Sequence, residues 1–445
     1  MKDPQIIFFF VISLSIGLTA MVSADQTDYF ANNGFAKPVS TMQHPNAEYY
    51  NGVTYIAYQG PHEDPYVCAY NHSTNTWSGP FKAGISQLGK TPDPTDPKPV
   101  DNHGRPTLIV DGQGYIHIIF GGHGGDAQFG ENNFGTAGRG KQTHVVSKKP
   151  EDISSWEALD NVSPFGTYAQ FVKMPDGDIY LFYRHGSHRS DWVYQKSTDN
   201  CRTFQPPVSI LKHQPQATDP NTHDSWYMWF HQGKGDAIAA TYNYHPCANP
   251  NHSSLRVNAY FMTMNCGNDT WENVKGDALT LPITKAYADA HTRVIETGEE
   301  GIRRLTLRVD ANGHPHMFHK ENGQLVYYRW DEKNWQRLAT FPSEYRVTDA
   351  DFRIVSPNEI RLLITAKMKK RNEVSWWKTE DGGQSWSKEN TLISSDTNTT
   401  YLIGSLVYNA HSDAQVVLSE INANQDNLYR KLFLFGQKDP IRRIE

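Results

Sequence analysis

"DADFRIVSPNEIRLLITAKMKKRNEVSWWKTEDGGQSW", residues 349–386, is a series of apolar and aromatic runs separated by polar turns. It reads as a strand rich in small and apolar residues, a turn containing Asn, an aromatic strand, and a polar turn ending in Trp. The stretch ends in Thr379-Glu380-Asp381-Gly382-Gly383-Gln384-Ser385-Trp386, which fits the Asp-box pattern S/T-x-D-x-G-x-S/T-W. In such a turn the aspartate accepts backbone hydrogen bonds, a glycine takes the left-handed position, and the aromatic packs between neighbouring sheets. The motif marks a fold and carries no chemistry. Lys367 to Arg371 between the runs reads as a solvated turn, not a sulfate site.

The same plan recurs along the chain. "NAEYYNGVTYIAYQG" runs into "VCAYNHSTNTW", and "YAQFVKMPDGDIYLFYRHG" into "WVYQKSTDNCRTF". "RRLTLRVDANGHPHMFHKENGQLVYYRWDEKNW" is a further copy, and the final stretch from Ile403 to Gly436 suggests one more sheet. Ser197 to Phe204 is a degenerate Asp box with Cys201 in the usual glycine place. Aromatics close the units at Trp77, Trp156, Phe204, Trp271, Trp335 and Trp386. A repeat of several dozen residues, each a small sheet, predicts an all-β fold, a single seven-bladed β-propeller over residues 25–445. Six or eight blades stay open because "LGKTPDPTDPKPVDN", residues 88–102, and "GENNFGTAGRGKQ", residues 130–142, interrupt the period. Long loops on one face of such a fold are where function usually sits.

Bulk properties narrow the class. The 445 residues include 11 Trp and 23 Tyr and carry a formal charge of -6. That balance favours strands and offers no basic stripe for nucleic acid. Lys2, the apolar run Ile6 to Leu18 and the small residues up to Ala24 read as a signal peptide over residues 1–24. A membrane anchor is the alternative, but the run is short for a span. The mature chain is expected to be secreted or periplasmic, a monomer, and without a membrane partner.

The chemistry concentrates in two consecutive hairpins. "DNHGRPTLIVDGQGYIHIIFGGHG", residues 101–124, carries His103 and His123 at its outer ends, with His117 inside. The next hairpin carries Tyr168 and Arg184 in matching positions around Pro175-Asp176-Gly177-Asp178, and His185, His188 and Arg189 follow. Both ends of a hairpin share one edge of the sheet, so the four side chains are expected in one groove. Each alone reads more readily as packing or a satisfied structural group. Glycoside hydrolysis normally needs two carboxylates, and no obvious pair stands beside these four side chains. β-Elimination on a uronic acid suits the set better. Arg184 would neutralise the carboxylate, a neutral histidine would take the C5 proton, and a tyrosine would protonate the leaving oxygen or itself take the proton.

The block from His103 to Arg189 resembles the β-propeller ulvan lyases, polysaccharide-lyase families twenty-four and twenty-five, and the second more closely. The resemblance implies endolytic cleavage of ulvan, an anionic sulfated polysaccharide of rhamnose and uronic acids, without a cofactor for the chemistry. It implies His103 as base, Tyr168 as acid, Arg184 as neutraliser, and His123 as a binding or orienting group. His185, Arg189 and Tyr227 are expected to bind substrate. It also suggests a structural metal. Cys247 and Cys266 admit three readings: a disulfide, simple burial, or zinc shared with His223, His245 or His252, of which His223 and His252 complete the expected set. Cys68 and Cys201 complete a cysteine count too small for a disulfide scaffold. A sialidase-like hydrolase and a non-catalytic carbohydrate-binding propeller are the competing classes.

Overall fold

The computed structural model describes residues 26–88, 100–215, 223–247, 255–298, 301–321, 323–422 and 428–444. The expected signal segment, residues 1–24, lies outside them. Among the described residues the regular structure is nearly all strand, with one short α-helix, Lys285–His291, and two single 3-10 turns, Pro61–Glu63 and Ala127–Phe129. No helix among them is long and apolar enough to cross a membrane.

Four antiparallel four-stranded sheets follow the repeat directly. The first is Thr107–Val110, Ile116–His123, Arg139–Ser147 and Trp156–Leu159. The second is Thr167–Lys173, Ile179–Arg184, Trp192–Ser197 and Val208–Leu211. The others begin at Ile302 and Arg346. Of the closing aromatics, Trp77, Trp156 and Trp335 lie in outer strands, Trp386 immediately precedes one, Phe204 lies in the turn before one, and Trp271 lies in Thr270–Glu272, which is paired on both sides.

The all-β expectation holds, but the single seven-bladed propeller does not. Among the described residues the hydrogen-bond ladders give four discrete four-stranded blades and two larger sheets, of eight and seven strands, with a two-stranded ribbon. In the eight-stranded sheet Ala47–Tyr50 meets Thr399–His411 in parallel at Glu48 and Tyr408, so the chain's first and last units fuse. In the seven-stranded sheet the short strands Gln214–Pro215, Ala278–Leu279 and Arg293–Ile295 are added around His223–Gln232, Ala237–His245 and Val257–Asn265. A sequence period counts closing aromatics, whereas sheet identity is set by which edges find a partner.

Both Asp boxes form the same turn. Asp381 accepts from Thr379 Oγ1 at 2.7 Å, Ser385 N at 3.0 Å and Ser385 Oγ at 2.6 Å. Asp199 accepts from Ser197 Oγ at 2.9 Å, Thr203 N at 2.8 Å and Thr203 Oγ1 at 2.6 Å. Cys201 takes the left-handed glycine conformation, φ 58°, with its side chain fully buried. Burying the thiol offsets a backbone strain of about 1–3 kcal/mol. These turns cap the third and fourth strands of their sheets. The hairpin ends with His103, His123, Tyr168 and Arg184 lie at the opposite end.

Large aromatics bind the second four-stranded sheet to the seven-stranded one. Phe182 stacks on Phe230 at 3.8 Å, and Trp192 donates its indole N–H to the Trp226 carbonyl at 2.8 Å. Thr167–Lys173 packs against Thr107–Val110 on one side and His223–Gln232 on the other. The first four-stranded sheet, the second and the seven-stranded sheet therefore present their strand ends side by side.

Candidate active site

Register explains how residues distant in sequence meet. Thr167 pairs with Arg184, which puts Tyr168 and Arg184 at one end of their hairpin. His123 pairs with Arg139 at the matching end of the preceding sheet. Tyr227 is the third residue of the neighbouring ladder, opposite Asn243. Tyr168 has φ 62°, at a register shift between Thr167 and Gln170. A bulge of this kind re-aims a side chain, here out of the ladder and towards His103.

The His103 and His123 rings stack at 3.8 Å with planes 12° apart. Beneath them lies Asp101. Its Oδ1 is 2.6 Å from His103 Nδ1, and its Oδ2 is 2.7 Å from both His123 Nδ1 and Arg139 Nη2. Its own backbone N–H donates to Glu63 Oε1 at 2.7 Å. Burial alone would raise the Asp101 carboxyl, but hydrogen bonds from the two histidines outweigh it and hold the group far below the carboxylate range. Most of each imidazole is covered, and only an edge meets solvent, 41% of the His103 side chain and 21% of the His123 side chain. Burial pushes His103 down to about 4 despite Asp101, so it is neutral at pH 7.

The Tyr168 ring centre is 5.5 Å from that of His103 and 5.6 Å from that of Tyr227. The Arg184 guanidinium lies 5.1 Å from the Tyr168 ring and 5.8 Å from the Tyr227 ring. Arg256 covers Tyr227 at 4.2 Å. Burial and the neighbouring Tyr227 raise the Tyr168 phenol, which is therefore protonated at neutral pH. Burial also acts to raise Tyr227, but Arg184 and Arg256 together pull it below the ordinary phenol value.

Other expected positions differ. Arg184 does not line an open groove: it is only 1% exposed, and its Nε and Nη1 have no acceptor among the described residues. It forms a charged floor under the two phenols. His185 is turned away, with Nδ1 2.8 Å from Asn132 Oδ1 and its ring against Phe134. The 130–142 insert docks there, so His185 anchors a loop and does not face substrate. Arg189 is exposed, and its carbonyl accepts from Thr136 N at 3.0 Å. His117 is buried between Asp111 and His144.

The expected metal set is dispersed. Ala237 pairs with Asn265, so Cys266 follows one end of the strand Ala237–His245 and Cys247 follows the other. At about 3.3 Å per residue they stand tens of ångströms apart. All four cysteines are free thiols, which also removes the disulfide reading. His252 lies outside the described residues. His223 stacks on His213 at 5.2 Å, whereas His245, the other candidate histidine among the described residues, does join Cys247, together with His188, their ligand atoms within 4.8 Å of one another. Two imidazoles and a thiol are the donor types that zinc prefers, so these residues fit the ion better than the expected set.

Asp101, Arg139 and Arg256 were not singled out from the sequence. Asp101 and Arg139 lie in the two inserts that break the repeat, and that interruption was the available signal.

Comparison with known proteins defines first a class. The model of the BNR repeat-containing family matches residues 53–341, so this is a BNR-repeat protein. An ulvan lyase of Nonlabens ulvanivorans is 44% identical over 439 residues, 95% of this chain and 91% of that protein. An ulvan lyase of Alteromonas sp. (strain LOR) is 44% identical over 434 residues, 94% and 88% of the two chains. A PL25 ulvan lyase solved with -[GlcA(1-4)Rha3S]- bound superposes with TM-score 0.88 at 42% identity, covering 94% of this chain and 98% of that one. The chain belongs to the ulvan lyases, a family of polysaccharide lyases.

Proposed function

We propose that this protein cleaves ulvan endolytically by β-elimination beside a uronic acid. The observation that carries the reading is the stacked His103–His123 pair, each ring with an edge to solvent, set against a protonated phenol, Tyr168, over a buried guanidinium. A neutral His103 takes the C5 proton through Nε2. The C5–H electron pair forms the C4=C5 double bond, and the C4–O bond breaks. Tyr168 gives its proton to the leaving oxygen. The products are one chain ending in an unsaturated uronate and one with a new hydroxyl.

Charge builds on the uronate carboxyl as the C5 proton leaves. Arg184 is already desolvated, so its field is not screened by water and needs no rearrangement during reaction. Arg139, at the mouth, is the cation that holds the acid group, His123 orients His103 by stacking on it, and Tyr227 and Arg189 are further substrate contacts. The relatives named for ulvan support this substrate, as does the disaccharide bound in the PL25 structure. Two accessory readings accompany it. The chain is exported by cleavage after Ala24 and acts as a monomer, and His188, His245 and Cys247 hold a structural zinc remote from the chemistry. A bound zinc would tie together the strand end at His245 and the His188 loop, and no step of the elimination passes through it.

The test is ultraviolet absorbance during digestion of ulvan. A lyase raises it through the new conjugated double bond. Reducing ends without absorbance would mean a hydrolase, and binding without either would mean a carbohydrate-binding module.

A further inference from the structure

We propose that Asp101 is the positioning residue that fixes the tautomer of both groove imidazoles, so that His103 and His123 each carry a proton on Nδ1 and turn a basic Nε2 outward. The proposal rests on the lyase reading above only for its catalytic consequence.

The geometry permits one assignment. An ionised carboxylate only accepts hydrogen bonds. Asp101 is 3% exposed, and both its oxygens face donors: His103 Nδ1 and the His103 backbone N–H at 3.0 Å on Oδ1, His123 Nδ1 and Arg139 Nη2 on Oδ2. Each imidazole must therefore donate from Nδ1. A neutral imidazole has one proton, so Nε2 keeps its lone pair on the solvent side. Neither ring can rotate to the other tautomer without placing a lone pair against a carboxylate oxygen.

The arrangement also limits how much charge the pair can take. Two imidazoles 3.8 Å apart over one carboxylate cannot both be imidazolium without strong repulsion. The charged and titratable groups around them are Asp101, Arg139, Arg184 and Tyr168, with Glu63 behind Asp101. One negative charge at Asp101 therefore supports one proton transfer at a time.

The probe is Asp101→Asn, which keeps size and removes charge. A carboxamide has a single acceptor oxygen, so it can hold at most one imidazole in the Nδ1–H form. Nitrogen-15 NMR of histidine-labelled protein, assigned with His103→Gln and His123→Gln, reads the tautomers directly. Wild type should show both rings protonated on Nδ1, and Asp101→Asn should lose at least one. On ulvan, kcat should fall on the order of 10²–10⁴-fold with KM within a few-fold, the scale of a mis-set tautomer. The acid limb of the pH profile should move to lower pH, because an imidazolium has lost its counter-charge. A residue that merely braced the loop would lower the melting temperature and leave tautomer and pH limb unchanged.

Wild-type rings protonated on Nε2 would overturn the proposal even if the variant did not fold. So would an Asp101→Asn enzyme with kcat within about 3-fold of wild type. If the tautomers respond as expected but wild type yields no unsaturated product from ulvan, the positioning role stands and the lyase reading fails.

Discussion

Replacing Arg184 with methionine should separate stability from catalysis. The guanidinium is 1% exposed, with Nε and Nη1 lacking acceptors among the described residues. Each buried unsatisfied donor costs about 1–3 kcal/mol. Against this stand two cation–ring contacts, to Tyr168 at 5.1 Å and Tyr227 at 5.8 Å, worth about 0.5–2 kcal/mol each. The two sums nearly cancel. Methionine fills similar space without a charge, so Arg184→Met should hold stability within about 2 kcal/mol, as replacement of a poorly compensated buried charge often does. The rate should behave otherwise. Loss of a preorganised charge at the reacting centre costs about 3–4 kcal/mol, a 10²–10³-fold fall in kcat. Arg184→Lys should recover only part, because an ammonium cannot reproduce the planar contact with both rings. Urea unfolding gives the first quantity and initial rates of unsaturated product give the second. A variant destabilised by more than about 4 kcal/mol with kcat intact would show that Arg184 is structural, and the charged-floor account would be refuted.

His103→Ala should lower kcat by roughly two to four orders of magnitude with the fold kept, the usual worth of a general base. Activity near wild type would move that role to Tyr168. Because His103 is neutral above about 4, the acid limb of kcat/KM should fall well below the ordinary histidine value, and a limb near 6.5 would contradict the burial argument. Stability should follow the same direction. Burial pushes His144 down to about 3 and His185 to about 4 in the folded chain, whereas both protonate near 6.5 when unfolded. Stability is thus full above about pH 6.5 and drops as pH falls towards 3–4, which melting curves against pH would show. Purified protein should contain about one equivalent of zinc by elemental analysis. Cys247→Ala should lose it and melt earlier, while Cys266→Ala should keep it. Equal retention in both would remove the cluster as a zinc site.

Much of the fold was legible because its signals are local. The Asp boxes at Asp199 and Asp381 need only residues within their own turns, and Trp77, Trp156 and Trp335 fall in outer strands. The count of separate sheets was not legible. It depends on the single parallel contact between Glu48 and Tyr408, which joins opposite ends of the chain. Similarly, hairpin symmetry pointed to His103, His123, Tyr168 and Arg184, and the structure brings them together. It did not give depth, so Arg184 was expected at an open surface and His185 in the groove. Cys247 and Cys266 share a hairpin in sequence, but antiparallel register sends them to opposite ends of its strand. Asp101 was hidden by its setting, since an aspartate after a proline-rich run reads as solvated loop until the fold brings two imidazoles over it.

Elimination and hydrolysis differ in whether water enters the product, and digestion of ulvan in water labelled with heavy oxygen measures that directly. Elimination predicts oligosaccharides with no label fixed at the cleaved bond, each cut giving one chain end that lacks the elements of water. Products carrying one heavy oxygen per cut, with saturated uronate ends, would contradict the account.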